Sequence, residues 1–279
     1  MWSVLCGLAS TVFAAQDGEV ELRIVHTNDT HSCVMPVNPN SSDTALADKG
    51  GFVRRAALVR DLRAEDPDLL LFDSGDFSQG SAYYNLYKGD VEVKLMNEMR
   101  YDAATIGNHE FDFGLDNMAR IFREATFPIV CANYHFEGTV LEGLVRPYVI
   151  LERKGVKVGV FGLGTQLEGM VASENYKGVT YEDPVTAANR VADELKNKEH
   201  CGLVVCLSHL GWDIDGLDDT ELVPATRYID IVLGGHSHTY FEHPEVLKDA
   251  DGEDVYCNQM GKHGRYVGML LLEMSPTGD

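Results

Sequence analysis

The chain has 279 residues, of which 44% are hydrophobic, enough for one large α/β domain or two small ones with a sizeable core. Its formal net charge of −21 argues against a protein that binds nucleic acid or an anionic membrane through a basic surface. An anionic substrate would be repelled by this field unless bound metal ions reversed its sign locally.

The first fifteen residues resemble an export signal. Residues 4–15 are apolar or small, and Val12-Phe13-Ala14 fits the small-residue rule for signal cleavage, although no Lys or Arg precedes the stretch. The stretch is too short to span a bilayer stably. A lipid-modified Cys6, which the bulky Leu5 disfavours, and an ordinary apolar N-terminus are the alternatives. We expect residues 1–15 to be a signal peptide and the protein to be exported, periplasmic or secreted, with membrane anchoring as a variant.

Strand-like apolar runs alternate with helical periodicity along the rest of the chain. The predicted strands span residues 22–25, 69–72, 103–106, 129–131, 156–161, 203–207 and 229–233, and the predicted helices span 52–63, 91–99, 117–124 and 185–196. This alternation predicts largely parallel sheets with helices outside. The tail is predicted to add strands at 256–258 and 266–273 that close a sheet edge. Residues 20–275 are expected to form one domain.

Local signals add detail to this outline. Asp116 is predicted to cap the third helix, and Asp183-Pro184 places a capping residue before a proline in the first turn of the fourth. Residues 38–48 and 164–177 are predicted loops. The cysteines that follow the signal lack CxxC spacing, so we expect free thiols and no disulfide framework.

Five short polar blocks each follow a hydrophobic run, where a buried strand is predicted to end. They are Asp29-Thr30-His31, Asp73-Ser74-Gly75-Asp76, Gly107-Asn108-His109-Glu110, Ser208-His209 and Gly234-Gly235-His236-Ser237-His238. Sites in open α/β sheets form beyond the carboxyl ends of the strands, so we expect the blocks to converge. Carboxylate, imidazole and amide oxygen are ligands of borderline divalent cations, and the blocks supply enough for two ions.

Each block taken alone also has a structural explanation. Asp29 and His31 are two residues apart and would share one side and one ion in extended backbone, but they can also form a turn and cap. The GNHE block can be a helix start, and GHSH can be a polar loop. The joint occurrence of the blocks across about 210 residues favours a metal centre.

The order of these blocks is similar to that of the calcineurin-like metallophosphoesterases. Within that family, HTNDTH, GDFSQGS, GNHEFDFG and GGHSH most resemble the catalytic domain of the exported 5′-nucleotidase/UDP-sugar hydrolase branch, from about Leu22 to Gly268. The serine/threonine protein phosphatase branch fits less well, because its arginine-bearing GDxVDRG is here GDFSQG. The resemblance implies an α/β fold, a four-layer sandwich of mixed sheets flanked by helices.

The resemblance also implies two divalent metal ions held by seven side chains from the blocks. Asp29, His31 and His238 would hold one ion, and Asn108, His209 and His236 the other, with Asp76 bridging both. A bridging carboxylate keeps two cations ~3.5–4 Å apart, so that one metal-bound hydroxide can attack phosphorus in line. Mixed nitrogen and oxygen ligation suits Zn, Mn, Fe or Co better than Ca or Mg.

Two further residues are implied to act in catalysis. His109 resembles the family's transition-state histidine, which would stabilise the phosphoryl group or protonate the leaving oxygen. Asp112, three residues later, would orient and charge that imidazole, and capping of the following turn is its alternative role.

Other residues near the blocks have no implied role. Tyr83, Tyr84 and Tyr87 are predicted either to line a substrate rim or to form a face of an amphipathic helix. The basic segment Lys262-His263-Gly264-Arg265 can contact a phosphate or simply form a turn, and His263 itself is expected to be solvated.

The chain departs from the branch at two points. Its bacterial members commonly have Gln where His238 stands, and imidazole should bind a transition metal more firmly. They usually continue into a second domain that stacks the nucleobase, whereas this sequence ends at Asp279. We expect that a separate chain supplies that domain, that substrate selection is poor, or that the substrate is different.

These observations predict an exported dimetal phosphoesterase that hydrolyses small phosphate monoesters, with 5′-nucleotides as the leading substrates. A 2′,3′-cyclic phosphodiesterase or a nucleotide-sugar pyrophosphohydrolase on the same site is the enzymatic alternative. A non-catalytic binding subunit, stabilised by its metals, is the alternative from another class.

Overall fold

The computed structural model describes residues 20–42, 44 and 47–274, and two six-stranded β-sheets organise this part of the chain. Across the first sheet the strands are β14 (Gly268–Met274), β1 (Val20–Thr27), β2 (Leu70–Asp73), β3 (Ala103–Ala104), β4 (Ile129–Val130) and β6 (Val145–Arg146). Across the second they are β12 (Glu245–Lys248), β13 (Asp254–Asn258), β11 (Ile231–Leu233), β10 (Leu203–His209), β8 (Val156–Gly164) and β7 (Tyr148–Arg153). A small third sheet pairs β5 (Tyr134–His135) with β9 (Thr180–Tyr181).

Both large sheets are parallel in the middle and antiparallel at an edge. In the first sheet β1, β2, β3, β4 and β6 are parallel, with β14 antiparallel outside β1. In the second, β8, β10, β11 and β13 are parallel, and β7 and β12 are the antiparallel edges. The carboxyl ends of the parallel strands therefore meet at one edge of each sheet, and the five polar blocks stand at or just after five of those ends.

Helices cover the outer faces of both sheets. They are α1 (Phe52–Glu65), α2 (Ala82–Tyr87), α3 (Asp90–Met99), α4 (Gly114–Glu124), α5 (Pro184–Asp193) and α6 (Asp219–Leu222). On the first sheet, Val59 of α1, Met96 of α3 and Phe122 of α4 enter one buried apolar cluster. On the second, Ala188 of α5 and Leu222 of α6 enter another. A third cluster lies between the sheets, so the layers run helix, sheet, sheet, helix.

The central strands are apolar on both faces because each sheet is covered on both sides. In β2, Leu70 and Phe72 belong to the cluster between the sheets, whereas Leu71 packs under the helices. In β10, Val205 faces the other sheet and Cys206 faces the helices. Side chains alternate with the period of two of a strand. Burial of both faces explains why these strands appear in the sequence as continuous hydrophobic runs.

Several elements of the structure differ from the sequence prediction. The segments 256–258 and 266–273, expected to close one sheet edge together, lie in different sheets, as β13 and β14. Asp116 does not cap α4, because the helix begins at Gly114 and Phe113 occupies the N-cap position. The short helices α2 and α6 and the strands β5, β6, β7, β9 and β12 have no counterpart in the prediction.

The predicted signal peptide, residues 1–15, lies outside the described residues. Within the described ranges, no helix combines the length and apolar character needed to cross a bilayer. The five cysteines in those ranges, Cys33, Cys131, Cys201, Cys206 and Cys257, are free thiols, as expected, and all except Cys33 are buried.

The start of α5 gives a first testable prediction. Asp183 accepts hydrogen bonds from the backbone N–H of Thr186 at 2.9 Å and from its hydroxyl at 2.8 Å. Asp183→Ala should lower the free energy of unfolding by about 1 kcal/mol, because one helix N–H loses its cap. Asp116→Ala is the matched control, expected to cost only about 0.3 kcal/mol through the helix dipole. Equal losses in urea unfolding would show that the cap of α5 contributes nothing specific.

Candidate metal centre

Asp29 and His31 follow β1 in left-handed backbone, with φ of 47° and 42°, and not in the extended backbone that we expected. Hydrogen bonds to the loop after β2 hold this conformation. The N–H of Asp29 donates to the carbonyl of Gly75 at 2.9 Å, and the N–H of His31 donates to that of Asp76 at 3.0 Å. The two side chains still meet, since His31 Nε2 lies 3.8 Å from Asp29 Oδ1.

His238, in the loop after β11, completes a triangle of donor atoms with these residues. Its Nε2 lies 2.9 Å from His31 Nε2 and 3.4 Å from Asp29 Oδ1. The Asp29 carboxylate is fully buried and is oriented by Asn28 Nδ2 at 2.6 Å and by the N–H of His236 at 3.0 Å. Two imidazole nitrogens and a carboxylate oxygen thus face one another, the donor set of a borderline divalent cation.

Asp76 and His209 form the centre of a second group. The Nδ1 of His209 donates to the carbonyl of Ser74 at 2.7 Å, so Nε2 is the nitrogen that faces the site, 3.2 Å from Asp76 Oδ2. A histidine fixed through its other ring nitrogen in this way is typical of metal ligands. The ring of His236 lies 5.2 Å from that of His209, centroid to centroid.

Asn108 lies in the loop after β3, which packs directly on Asp76. A Cβ at Gly107 would lie 2.1 Å from Asp76 Oδ1, so only glycine allows this approach. Asn108 is 8% exposed, and its Oδ1 has no hydrogen-bond partner among the described residues. A buried acceptor without a partner costs about 1–3 kcal/mol, and a cation is the kind of partner that would satisfy it.

The potential ligands therefore form overlapping groups whose donor atoms lie within 4.8 Å of one another. The groups are Asp29, His31 and His238; His31, Asp76 and His109; and Asp76, His209 and His236. Asp76 belongs to two of them. The structure thus brings six of the seven predicted ligands together, and the seventh, Asn108, belongs to the loop that packs on Asp76. Carboxylate and imidazole donors of this kind fit divalent ions. Their division between two ions remains a prediction.

His109 and Asp112 stand at the open side of this cluster. His109 Nδ1 lies 3.1 Å from Asp112 Oδ2, and about a third of each side chain is exposed. Burial alone would lower the pKa of His109, but the hydrogen bond to Asp112 and the nearby carboxylates raise it above its ordinary value. Hydrogen bonds hold the backbone of both residues. Tyr84 Oη donates to the carbonyl of His109 at 3.2 Å, and Asn175 Nδ2 donates to the carbonyl of Asp112 at 3.0 Å.

The electrostatics of the centre follow from burial of opposite charges. Burial disfavours the ionised forms of both Asp76 and His209. The attraction between the two opposite charges favours the ionised forms and is the larger effect. The pKa of His209 rises to about 10, and that of Asp76 falls well below its usual range. Burial and the charge of His209 lower the pKa of His236 to about 4. Asp76 thus favours the protonated form of His209, whereas metal ligation requires the neutral imidazole, so a metal ion bound by His209 would displace that proton.

Glu110 ends the GNHE block, and the sequence prediction gave it no role, but the structure shows that it supports the candidate site. It is fully buried, and its carboxylate accepts three backbone N–H groups. These are Gly107 at 2.7 Å, Asp76 at 2.9 Å and Ser78 at 3.0 Å. Burial and the nearby Asp76 charge raise the pKa of Glu110 to about 7. Glu110 therefore ties the loop after β3 to the loop after β2 behind the candidate ligands.

We predict that Glu110→Gln destabilises the protein and weakens metal binding. The amide keeps the shape but offers one acceptor where three N–H groups converge, which should cost about 1–3 kcal/mol in urea unfolding. Metal analysis after dialysis should show fewer ions retained, since the Asp76 loop is less firmly held. Glu137→Gln, on an exposed glutamate, is the control. Wild-type unfolding and metal content in Glu110→Gln would contradict the role.

Comparison with known proteins shows similarity over most of the chain. The sequence model of the calcineurin-like phosphoesterase family matches residues 22–240. The human 5′-nucleotidase is 32% identical, over 99% of this chain and 50% of the relative. The snake venom 5′-nucleotidase of Crotalus adamanteus is 33% identical, over 94% of this chain and 47% of the relative. The chain thus spans about half the length of these curated relatives.

Solved structures give a similar result. A 5′-nucleotidase precursor from Thermus thermophilus superposes with a TM-score of 0.82 at 33% identity, over 93% of this chain and 52% of the other. The NAD nucleotidase of Haemophilus influenzae superposes with a TM-score of 0.81 at 26% identity, over 94% and 48%. The calcineurin-like phosphoesterase YfkN from Bacillus subtilis has a TM-score of 0.72 at 28% identity, over 92% and 86%.

Proposed function

The chain belongs to the calcineurin-like phosphoesterase family, and we propose that it hydrolyses small phosphate monoesters, 5′-nucleotides foremost, with the help of two divalent metal ions. The observation that carries the proposal is the convergence of loops from both sheets on the buried Asp76. The relatives named 5′-nucleotidase favour nucleotides among the possible esters.

The metal ions would be held as the family resemblance implies. One would bind Asp29, His31 and His238, the other Asn108, His209 and His236, and Asp76 would bridge them. Mixed oxygen and nitrogen donors favour Zn, Mn, Fe or Co. When bound, such a pair polarises phosphate oxygens and provides a strong nucleophile at neutral pH.

His109 would move the proton that the reaction requires. The Nδ1 of His109 is hydrogen-bonded to Asp112, so the Nε2 of His109 would donate the proton to the leaving oxygen. The raised pKa keeps a larger fraction of this imidazole protonated near neutral pH, as a general acid requires. Asp112 would keep the ring oriented and stabilise its charged form. The hydrogen bonds from Tyr84 and Asn175 would hold the pair at the open side of the cluster.

A substrate panel tests this proposal. Metal-loaded protein would be assayed for phosphate release from purine and pyrimidine 5′-monophosphates, an aryl phosphate, 2′,3′-cyclic nucleotides and a nucleotide sugar. Faster turnover of 5′-monophosphates than of the cyclic and sugar nucleotides is the expected result. A reversed order would favour the phosphodiesterase or pyrophosphohydrolase alternative. Absence of turnover with every ester would favour the non-catalytic, metal-stabilised subunit.

Removal of the bridging carboxylate tests the metal assignment. We predict that Asp76→Ala loses both ions together, because Asp76 belongs to two of the three donor groups. Metal analysis would compare it with Asp61→Ala, which removes an exposed carboxylate on α1. Two ions still bound tightly to Asp76→Ala would show that Asp76 is not shared.

Replacement of the catalytic histidine should separate chemistry from metal binding. We predict that His109→Ala retains both ions but lowers kcat by roughly 10²–10⁴-fold, as expected for loss of a proton-transfer group. The two readouts are metal content and kcat for a 5′-monophosphate. Parallel loss of metal and activity would identify His109 as a ligand, a role that its distance from His31 and Asp76 would permit.

We further propose export to the periplasm or the medium, on the apolar character of residues 4–15 and on the similarity to a venom enzyme. Cell fractionation followed by N-terminal sequencing of the mature protein tests it. A mature chain that begins near residue 15 supports export, and an uncleaved cytosolic chain contradicts it.

A further inference from the structure

The segment between β13 and β14, residues 259–267, forms a wall of the candidate metal centre. The N–H of His263 donates to the carbonyl of Asp29 at 2.8 Å, and its ring lies 5.9 Å from the ring of His31, centroid to centroid. His263 is therefore not the solvated histidine that we expected. Burial, neighbouring histidines and nearby cations lower its pKa to about 4. The basic segment 262–265 is thus fixed beside predicted metal ligands.

Arg265 is held in place by contacts on two sides. Its Nε donates to the carbonyl of Lys262 at 3.2 Å. Its guanidinium carbon lies 5.6 Å from the ring centroid of Tyr266, and that ring stacks on Tyr240 with centroids 4.1 Å apart. The guanidinium is therefore preorganised before any ligand arrives, which reduces the entropy cost of binding.

The guanidinium also lies close to the chain that carries His238. A Cβ at Gly261 would lie 3.4 Å from Arg265 Nη2 and 3.9 Å from the carbonyl oxygen of His238. Gly261 is itself anchored to the ligand loop, because its carbonyl accepts from Asn28 Nδ2 at 2.8 Å. Arg265 therefore lies near the backbone of the loop that carries His238, and Gly261 links its segment to the loop that carries Asp29.

The positive charge of this segment is not balanced by neighbouring carboxylates. In the described ranges, neither Lys262 nor Arg265 forms an ion pair, and the Nη atoms of Arg265 donate no hydrogen bond. The chain has 44 acidic and 23 basic residues, so unbalanced cations at this position oppose the overall field. Such a local reversal attracts anions toward a site that the net charge would otherwise disfavour.

We propose that Arg265, with Lys262 beside it, binds the phosphate oxygens of the substrate. The inference rests on the proposed function, which makes the substrate a phosphate ester. A guanidinium fork suits two oxygens of one phosphate, and the ammonium of Lys262 adds a second positive charge. The phosphate concerned is the one transferred, or the second phosphate of a diphosphate ester.

The test compares Arg265→Gln and Lys262→Gln with the wild type, each loaded with Mn²⁺. Arg146→Gln is the matched control, because it removes the same charge from an exposed position on β6. Calorimetry with inorganic phosphate gives the affinity directly. KM and kcat are measured for an aryl monophosphate and for a nucleoside diphosphate, and metal content is measured in parallel.

We expect Arg265→Gln to weaken phosphate affinity about 10–100-fold, the usual effect of a lost charged hydrogen bond. Lys262→Gln should weaken it less, and Arg146→Gln should not change it. Metal content should remain at the wild-type level, and kcat should change far less than KM. A raised KM for the aryl monophosphate assigns Arg265 to the transferred phosphate, whereas a raised KM for the diphosphate alone assigns it to the second phosphate.

Two outcomes would overturn the inference. One is unchanged phosphate affinity and unchanged KM values in Arg265→Gln. The other is loss of metal in proportion to the loss of phosphate binding, which would make the residue a structural support of the centre. Failure of the proposed hydrolytic function gives a different result from failure of the Arg265 proposal. If the wild type binds phosphate through Arg265 but hydrolyses no ester, only the hydrolytic function is contradicted.

Discussion

The buried carboxylate of Asp76 is the contact that joins the two sheets at the candidate site. It belongs to the loop after β2, yet one oxygen accepts the N–H of His109 at 2.9 Å and the other lies 3.2 Å from His209 Nε2 at the end of β10. A charge removed from water needs compensation by hydrogen bonds or opposite charge. The loops from both sheets must therefore close on this carboxylate, and Glu110 holds two of them there.

The same constraint connects the fold to the chemistry. Several carboxylates in one buried place are stable only if cations accompany them, and here imidazoles supply the positive charge or, when neutral, the donors for metal ions. The segment 259–267 continues this pattern, because the guanidinium of Arg265 forms no ion pair with any residue that the structure describes. A strongly acidic protein can in this way offer a local positive surface to a phosphate ester.

Much of this arrangement could be predicted from the sequence because the central strands are continuous apolar runs that end in polar blocks. Largely parallel pairing follows from the alternation of those runs with helices, and the family follows from the order of the polar blocks. The structure and the comparisons confirm both. Local sequence could not show the left-handed backbone at Asp29 and His31, since hydrogen bonds to a loop more than forty residues away impose it. It also could not show that β13 and β14 separate into different sheets, nor that Glu110 ties two loops together. These features depend on pairings between distant segments.

We propose that two metal ions share the Asp76 carboxylate. Electron paramagnetic resonance of metal-free protein titrated with Mn²⁺ tests it most directly, because ions bridged by one carboxylate lie close enough for their spins to couple. We predict saturation at two ions per chain and a spectrum that differs from that of isolated Mn²⁺. Saturation at one ion, or two ions whose signals simply add, would contradict it.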